Sequence, residues 1–340
     1  MKNKMKALVM RQYGSLSYED VDIPSVKDGD VLIKVAACAV CGSDISGMNG
    51  SMRRIPPVIM GHEASGTVCA VGGNVKNIKV GDRVTTQSTL HCETCDMCIE
   101  GKENLCRKRE VIGISCEEFR RSGAYAEYVV SPANCVHILP ENVSFLKAAM
   151  TEPAAIAHHA VSLTPIKECG KYLVLGCGAI GLFAVQILRS MGCSDIIAVD
   201  RNPHKLDAAL KSGASRVINT REVPSLCAEV GRVNAVIDAM GGEYAFSEGM
   251  ACLDRGGQFT LVSDPKADVS LTSLIYDELT VRGSSNSLPK DFTSALEMIS
   301  DGRINTDIVI SETVPLKDGN EWFCALARKE KKVIKIVLIP

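Results

Sequence analysis

The stretch Gly176-Cys177-Gly178-Ala179-Ile180-Gly181 decides the fold of the second half of this chain. An apolar run at residues 172–175 precedes it, and residues 179–191 after it carry apolar side chains at helical spacing. A strand, a glycine-rich turn and a helix in this order are typical of the unit that binds the pyrophosphate of a dinucleotide. The sequence therefore predicts a dinucleotide-binding turn at residues 176–181.

Each glycine of this pattern has its own structural reason. Gly176 permits the tight turn, Gly178 lets the backbone approach a pyrophosphate, and Gly181 lets the helix pack closely against the strand. The free N–H groups at the start of that helix then point toward the phosphates. A G-x-G-x-x-G pattern also occurs in flexible loops, so the flanking strand and helix are what favour the binding interpretation.

Asp200 ends the next predicted strand, at about the distance where an acidic residue accepts hydrogen bonds from the ribose 2′-hydroxyl. Its charge would repel a 2′-phosphate, which favours NAD over NADP. Arg201 follows directly and could offset part of that repulsion, so NADP stays an alternative. Ile180 in the turn and Lys205 on the following helix are assigned to the same cofactor site.

Strands and helices alternate from Lys171 onward, which predicts a parallel, doubly wound sheet of the α/β class. The further strand candidates are residues 196–199, 217–218, 235–237, 259–262 and 279–281. The first half is instead β-rich, with short β-branched segments at 31–35 and 66–71 bounded by turn residues. After Leu288 we expect one helix, at 292–299, and a closing strand, at 333–339, that packs back on the first domain.

The sequence predicts two domains. The first, β-rich domain comprises residues 1–152 and is completed by 288–340, and the second, with the parallel sheet, comprises 153–287.

Composition excludes several classes of function. The 340 residues carry 38 basic and 40 acidic side chains, so nothing steers a nucleic acid or an anionic membrane. Fifteen cysteines cannot all pair, and Met1-Lys2-Asn3-Lys4-Met5-Lys6 leads into no signal-peptide core, so we expect a reducing cytoplasm. The uncharged residues 172–188 are interpreted as strand, turn and helix rather than a membrane span.

Cys92, Cys95, Cys98 and Cys106 form a C-x2-C-x2-C-x7-C pattern that indicates a closed tetrahedral zinc site. Four sulfur ligands leave no position for substrate, so this zinc is predicted to be structural. An iron–sulfur cluster fits the spacing as well. It is the less favoured alternative, because nothing else in the chain supplies an electron partner.

Chemistry-bearing residues also occur at three separated places: Cys41-Gly42-Ser43-Asp44, Gly61-His62-Glu63 and Glu152. Each has an ordinary explanation, as a core cysteine, a hydrogen-bonded histidine or the start of a helix. Their spacing alone does not show that they meet.

Gly61-His62-Glu63 with Gly66, Gly72 and Val75 reproduces a G-H-E-x2-G-x5-G-x2-V signature, and through it the sequence closely resembles the zinc-dependent medium-chain dehydrogenases. Glu152, which opens Glu152-Pro153-Ala154, resembles the polyol branch of that family, which includes sorbitol and L-iditol 2-dehydrogenases. The four-cysteine pattern, the segment 123–128 and the glycine turn follow in the family's order. The resemblance implies a GroES-like catalytic domain, a Rossmann NAD-binding domain and a catalytic zinc in the cleft between them, and thus two zinc ions per chain.

The same resemblance implies that Cys41, His62, Glu63 and Glu152 surround the catalytic zinc. Two carboxylate ligands together with the Cys41 thiolate would make the site anionic, so we expect only one of Glu63 and Glu152 to ligate at a time. Adjacent strand residues point to opposite faces, which argues against Glu63 beside His62, unless Gly61 relieves the constraint. The sequence does not decide between the two glutamates.

The implied reaction is hydride transfer from a substrate alcohol to the nicotinamide, with zinc acting as a Lewis acid on the hydroxyl. Ser43 would pass the hydroxyl proton toward solvent, and Asp44 could orient His62. The partners implied are a small polyol or sugar phosphate and further copies of the chain, as a dimer or tetramer.

Two departures from the family pattern bear on the substrate. Ser46 stands where many relatives have a histidine, and residues 284–288 lack the arginine that sorbitol enzymes use. His158, beside His159, is unusual and is expected to pack rather than face the cleft. The leading hypothesis is an NAD-dependent zinc dehydrogenase that oxidises an L-iditol- or sorbitol-like polyol to a ketose.

Three alternatives stay open beside this hypothesis. Two are enzymes: a galactitol-1-phosphate-type dehydrogenase, and a threonine or simple alcohol dehydrogenase. The third is a zinc-stabilised dinucleotide-binding protein without turnover. The joint presence of Cys41, His62 and Glu152 favours the enzymes, and it disfavours a zinc-free quinone reductase.

Overall fold

The computed structural model of the chain describes residues 3–265, 267 and 271–340, and of Leu271 it describes only the backbone. The chain folds into two compact units. One comprises Met1–Glu152, Leu288–Ser300 and Ile310–Pro340, and the other comprises Pro153–Ser287 and Asp301–Val309.

The strands are, in chain order, β1 Lys4–Gln12, β2 Ser15–Asp22, β3 Asp30–Ala39, β4 Val58–Ile59, β5 Glu63–Val71, β6 Arg83–Thr86, β7 Thr89–Leu90, β8 Glu110–Val111, β9 Tyr128–Pro132, β10 Val136–Ile138, β11 Lys171–Leu175, β12 Asp195–Asp200, β13 Arg216–Asn219, β14 Val233–Asp238, β15 Leu253–Leu261, β16 Thr280–Gly283, β17 Ile310–Pro315 and β18 Lys335–Ile339.

The helices are α1 Gly42–Met48, α2 Asp96–Ile99, α3 Phe145–Ala149, α4 Thr151–Ser162, α5 Ala179–Ser190, α6 Pro203–Lys211, α7 Leu226–Val230, α8 Glu243–Cys252, α9 Leu271–Tyr276, α10 Pro289–Ser300 and α11 Gly319–Ala327. Short 3-10 turns lie at Glu103–Leu105, Ala133–Cys135, Thr306–Ile308 and Leu316–Asp318.

The first unit is built on a mixed sheet in the order β10-β6-β5-β3-β18-β17, with β9 pairing beside β3. β3 lies between β5 and β18 and pairs antiparallel with both, so the chain's closing strand completes the sheet that its first part begins. A smaller sheet, β2-β1-β4, shares the apolar core, which includes Leu8, Ile33 and Phe323. Strand and tail assignments near 31–35, 66–71 and 333–339 agree with the expectations from the sequence.

The second unit contains a parallel sheet in the order β13-β12-β11-β14-β15-β16. The order reverses beside β11, because β12 lies on one side of it and β14 on the other. In such sheets the crevice at the carboxyl ends of the two strands is the place where ligands bind. The predicted α/β class with a doubly wound parallel sheet is confirmed.

The chain after Leu288 contains more helices and strands than the sequence predicts. The sequence predicts one helix and one strand after Leu288, whereas the structure also forms β17 and α11. The predicted first domain also includes all of 288–340, whereas Asp301–Val309 groups with the second unit. The reason lies in Gln186 of α5, whose side chain accepts from the Asn305 N–H at 2.6 Å and donates to the Asn305 carbonyl at 3.4 Å.

Among the described residues, none of the helices combines the length and the apolar character that crossing a bilayer requires. Residues 172–188 form β11, the glycine turn and most of α5.

Candidate zinc and dinucleotide sites

Strand register brings Cys41 and His62 together. β3 and β5 run antiparallel with Ala39 opposite Glu63, so the residues just past the end of β3 lie beside those just before β5. Cys41 follows β3 as the N-cap of α1, and His62 is the last residue before β5. Because His62 precedes the strand, the alternation of side chains along β5 does not separate it from Glu63.

Gly61 has a backbone conformation just before His62 that a residue with a side chain would rarely adopt. Its φ is +95°, in the region that favours glycine, and a Cβ atom there would lie 2.6 Å from a ring carbon of Tyr125. The backbone before His62 is therefore packed directly on the Tyr125 ring. A larger residue would displace either the ring or the histidine.

Cys41, His62 and Glu63 form a cluster: each offers one ligand atom, and these three atoms all lie within 4.8 Å of one another. His62 and Glu63 are buried, and Cys41 is half-buried. A thiol, an imidazole and a carboxylate at this separation are the donor types that zinc takes in proteins. Glu152 lies outside this set.

Asp44 is fully buried beside the cluster and accepts hydrogen bonds on Oδ2. The Tyr125 hydroxyl donates to it at 2.6 Å and the Cys41 N–H at 3.2 Å. Oδ1 faces His62 Nδ1 at 3.6 Å, and among the described groups neither of these two buried atoms has a hydrogen-bond partner. Since Nδ1 turns toward Asp44, Nε2 is the ring nitrogen available as a ligand.

The Asp44 carboxylate also controls the protonation of His62 when no metal is bound. Burial by itself lowers the pKa of His62, but the negative charge of Asp44, whose Oδ1 lies 3.6 Å from Nδ1, raises that pKa well above the usual value. The carboxylate thus stabilises positive charge on this imidazole.

Lys335 of β18 neutralises Glu63. Its Nζ donates to Glu63 Oε1 at 2.6 Å and to Oε2 at 2.7 Å, and both side chains are at most 5% exposed. Val337 lies opposite Ala39, so Lys335 reaches the site from the far side of β3. Each carboxylate oxygen has more than one lone pair, and Glu63 therefore retains the capacity to ligate a metal.

Glu152 lies in the first turn of α4, where its Oε1 accepts a hydrogen bond from the Ser88 hydroxyl at 2.7 Å. Burial raises the pKa of this carboxyl, although the His62 charge acts in the opposite direction. Ser43 is half-buried in the first turn of α1, and His158 is half-buried in α4.

The four cysteines of the C-x2-C-x2-C-x7-C pattern converge. The Sγ–Sγ distances are 3.5 Å for Cys95–Cys98 and Cys92–Cys106, 3.9 Å for Cys95–Cys106 and 4.0 Å for Cys92–Cys98. A tetrahedron with Zn–S bonds of about 2.3 Å has S–S edges of about 3.8 Å. The cluster therefore matches the dimensions of a zinc site with four cysteine ligands.

Backbone groups support negative charge on these sulfurs. The N–H groups of Cys92 and Lys108 donate to Cys106 Sγ at 3.4 and 3.3 Å. Hydrogen bonds from the hydroxyl and N–H of Thr94 lower the pKa of the Cys92 thiol to about 5. A thiolate is the form that binds metal, so these contacts favour ligation by Cys92, whereas burial without metal raises the pKa of Cys98 to about 12.

The glycine turn joins β11 to α5 in the second unit. Gly176 has a φ of +90°, and a Cβ at Gly181 would lie 1.8 Å from the Gly176 carbonyl oxygen. Gly178, the N-cap of α5, has no atom within 4 Å of its Cβ position. The turn is closed on its inner side and open at Gly178, where a phosphate would approach the helix N-terminus.

A cavity of about 570 Å³ lies at this turn; its lining includes Gly176, Gly178, Asp200, Arg201 and Lys205. Asp200 ends β12 and is held by backbone donors, since Oδ1 accepts from the Arg201 N–H at 2.7 Å and Oδ2 from the Cys177 N–H at 3.0 Å. The carboxylate is thus fixed at the edge of the cavity. Ile180 lies in the first turn of α5, and Lys205 lies on α6.

Family comparisons agree with this arrangement. Residues 27–141 match the alcohol dehydrogenase GroES-like domain, and residues 179–301 match the zinc-binding dehydrogenase domain. The chain belongs to the zinc-binding alcohol dehydrogenase family. The predicted GroES-like domain and the resemblance to zinc-dependent medium-chain dehydrogenases are therefore confirmed, and the protein is an oxidoreductase of that family.

Two curated relatives of this dehydrogenase, named as polyol or polyol-phosphate dehydrogenases, confirm the resemblance to the polyol branch. It is 34% identical to the D-arabitol-phosphate dehydrogenase of Enterococcus avium, over 92% of this chain and 90% of the relative. It is 32% identical to the sorbitol dehydrogenase of Halalkalibacterium halodurans, over 99% of each chain. A zinc-binding dehydrogenase of Sinorhizobium meliloti 1021 bound to NADP superposes with a TM-score of 0.91 at 28% identity, with 100% of both chains covered.

Sequence reasoning about this dehydrogenase missed two side chains beside the proposed site residues. Lys335 and Ser88 contact Glu63 and Glu152. A signal for Lys335 exists, because a lysine between isoleucines in an apolar closing strand is unusual unless its charge is paired. Ser88 carries no comparable signal.

Proposed function

We propose that this dehydrogenase oxidises a secondary alcohol of a polyol to the ketone with NAD, at a zinc held by Cys41, His62 and a carboxylate. The observation that carries the proposal is the cluster of Cys41, His62 and Glu63 ligand atoms within 4.8 Å of one another. When bound, zinc would act as a Lewis acid that makes the substrate hydroxyl acidic near neutral pH.

Glu63 is the proposed carboxylate ligand, because it belongs to the cluster and Glu152 does not. Lys335 offsets the charge of Glu63. A second carboxylate can then lie near the metal without making the site anionic, which revises the charge argument made from the sequence alone. Glu152, bonded to Ser88, is proposed to hold a water or the substrate hydroxyl.

Other residues of the first unit have supporting roles in the proposal. Asp44 keeps the His62 ring in the orientation that turns Nε2 toward the ligand set. Ser43, two residues after Cys41, is proposed to accept the substrate's hydroxyl proton and pass it toward solvent. The four cysteines are proposed to hold a second, structural zinc.

NAD is the proposed cofactor because Asp200 presents a carboxylate in the cavity beside the glycine turn. Asp200→Asn keeps the shape of the side chain and removes its charge. We expect the ratio of kcat/KM for NAD to that for NADP to fall about tenfold or more, equivalent to about 1.4 kcal/mol. An unchanged ratio would contradict the role given to this carboxylate.

Polyols are the proposed substrates because both curated relatives described above carry polyol names. The first of these acts on a phosphorylated polyol, which makes the phosphate ester the second candidate. A panel should therefore pair each polyol with its phosphate, such as D-arabitol with D-arabitol phosphate and sorbitol with sorbitol phosphate. L-threonine and ethanol serve as the other alcohols.

NADH formation by the purified enzyme scores the panel, with and without a chelator. We expect turnover of polyols that depends on metal and is lost in Cys41→Ser, while NAD binding persists. Cys69→Ser is the matched control, because Cys69 is exposed and lies outside both cysteine clusters. Full activity in Cys41→Ser would overturn the proposal, and one zinc per wild-type chain would favour a dinucleotide-binding protein without turnover.

A further inference from the structure

The Tyr125 side chain is in direct contact with the carboxylate that faces His62. Tyr125 and Asp44 are both 0% exposed, and the Tyr125 hydroxyl donates to Asp44 Oδ2 at 2.6 Å. A second acceptor, the Ala39 carbonyl, lies farther away at 3.3 Å. A short bond to a buried carboxylate is the stronger of the two, because a charged acceptor strengthens a hydrogen bond.

The hydroxyl determines which carboxylate oxygen faces His62. The Tyr125 hydroxyl and the Cys41 N–H both bond to Oδ2, which leaves Oδ1 directed at His62 Nδ1. Asp44 Oδ1 and His62 Nδ1 are both buried, lie 3.6 Å apart, and have no other polar group of the described structure within hydrogen-bond distance. With Oδ2 held from two sides, rotation of the Asp44 carboxylate is opposed.

The Tyr125 ring has little freedom to move its hydroxyl. One side fills the space that a Cβ of Gly61 would occupy, and Phe323 of α11 packs edge-on with a centroid separation of 5.5 Å. The same ring therefore supports the backbone before His62 and carries the donor to Asp44. Replacement by phenylalanine would keep the ring and remove only the donor.

We propose that Tyr125 is a positioning residue of the zinc site: its hydroxyl holds Asp44 in the rotation that keeps the His62 Nδ1–H directed inward and Nε2 free for the metal. This inference rests on the proposed function, because it assumes that His62 ligates zinc. Tyr125 touches neither metal nor substrate in this account and acts through Asp44.

The test compares Tyr125→Phe with Tyr128→Phe, which alters a half-buried tyrosine three residues later whose hydroxyl is not among the donors to Asp44. Zinc affinity is measured on the full chain by titration with a competing chelator, with metal content and melting temperature recorded alongside. We expect Tyr125→Phe to weaken one of the two zincs about 10-fold, the lower end of the effect usual for the outer partners of metal ligands, because Asp44 itself remains in place. The other zinc should stay bound.

Steady-state kinetics supply the second measurement. The kcat for the best polyol should fall in Tyr125→Phe while its KM changes less than about twofold, because the hydroxyl does not contact substrate. In an Asp44→Asn background, adding Tyr125→Phe should have little further effect on zinc affinity, since both changes act through one carboxylate. Tyr128→Phe should match the wild type throughout.

Each negative result has a distinct meaning. Suppose that the wild type binds two zincs and that Tyr125→Phe binds both with wild-type affinity. This result, or losses of zinc affinity that add in the double variant, would overturn the role of Tyr125 and leave the proposed function standing. A wild-type chain that binds one zinc would overturn the proposed function itself. Loss of both zincs together with a large fall in melting temperature would overturn the positioning role as well, by showing that the hydroxyl serves folding instead.

Discussion

Lys335 and Glu63 form an ion pair in which both charges have been removed from water. The two side chains are 5% and 1% exposed, and both carboxylate oxygens are bonded to the ammonium. Burial of two ions costs several kcal/mol each, and their attraction recovers that cost only while both are present. Removal of one partner therefore leaves an uncompensated charge beside the cluster.

Lys335→Met should lower the free energy of unfolding by about 3–5 kcal/mol, because Glu63 stays buried without its partner. Urea unfolding followed by circular dichroism measures the change. Adding Glu63→Gln should recover part of the loss. The control is Lys4→Met, whose exposed pair with Asp22 should be worth less than about 1 kcal/mol. Equal effects of the two lysine variants would contradict the buried-pair interpretation.

His137 makes a separate contribution at the level of one residue. It packs against Phe292 with a ring separation of 4.6 Å, and burial, with a smaller effect from His91, lowers its pKa to about 4. As the pH falls, the His137 imidazole takes up a proton near pH 6.5 in the unfolded chain but only near pH 4 in the folded chain. The stability that the neutral ring contributes is therefore present above pH 6.5 and is lost as the pH falls toward 4.

His137→Phe should flatten the pH dependence of unfolding between pH 6.5 and 4, by about 1–3 kcal/mol across the window. Chemical denaturation at half-unit pH intervals would show this. Wild-type and variant curves that stay parallel through the window would mean that His137 is not the group responsible.

At the scale of elements, the turn between β11 and α5 uses its glycines for two different purposes. Gly181 is required by packing, since a Cβ would lie 1.8 Å from the Gly176 carbonyl oxygen. Gly178 has open space and an ordinary φ of −77°. The space at Gly178 is what a bound phosphate would occupy.

Two alanine variants separate these purposes. Gly181→Ala should cost about 1–3 kcal/mol of stability, because the helix must move from the strand. Gly178→Ala should change stability by less than about 0.5 kcal/mol and weaken NAD binding about tenfold or more. Thermal unfolding and NADH fluorescence titration report the two effects. Tight NADH binding in folded Gly178→Ala would contradict the placement of the pyrophosphate.

At the scale of the whole molecule, the first unit contains two clusters with different donor sets. The four-sulfur cluster lies on a loop whose regular elements are short, since α2 has four residues and β7 and β8 have two each. The mixed cluster lies where the end of β3 meets the start of β5 in the main sheet, so the pairing of these two strands supports it. We therefore expect the zinc of the four-sulfur cluster to contribute mainly to stability and the zinc of the mixed cluster mainly to turnover.

Metal analysis of the intact chain should give two zincs. Cys95→Ser should lose one and lower the melting temperature by several degrees, because metal binding to a small lobe is folding energy. Cys41→Ser should lose the other with a small change in melting temperature and no turnover. The reverse assignment, with Cys95→Ser stable and inactive, would contradict the division into structural and catalytic sites.

The sequence by itself determined the features that depend on short-range spacing. The glycine turn, the acidic end of β12 and the four-cysteine loop each lie within a few residues or one βαβ unit, so local geometry follows from residue type. The alternation of strand and helix patterns after Lys171 was sufficient to predict the parallel sheet. Cys41 and Gly61-His62-Glu63 became candidates only through the resemblance to the family, whose G-H-E signature begins at Gly61.

Only the tertiary structure decided which side chains meet around Glu63. Ala39 of β3 has Glu63 on one side and Val337 on the other, so Cys41, Glu63 and Lys335 approach each other across three strands. Such contacts depend on strand register, which is set by packing of whole strands and is not encoded in any single segment. The charge balance of the candidate zinc site, and the Tyr125 contact with Asp44, follow from that register.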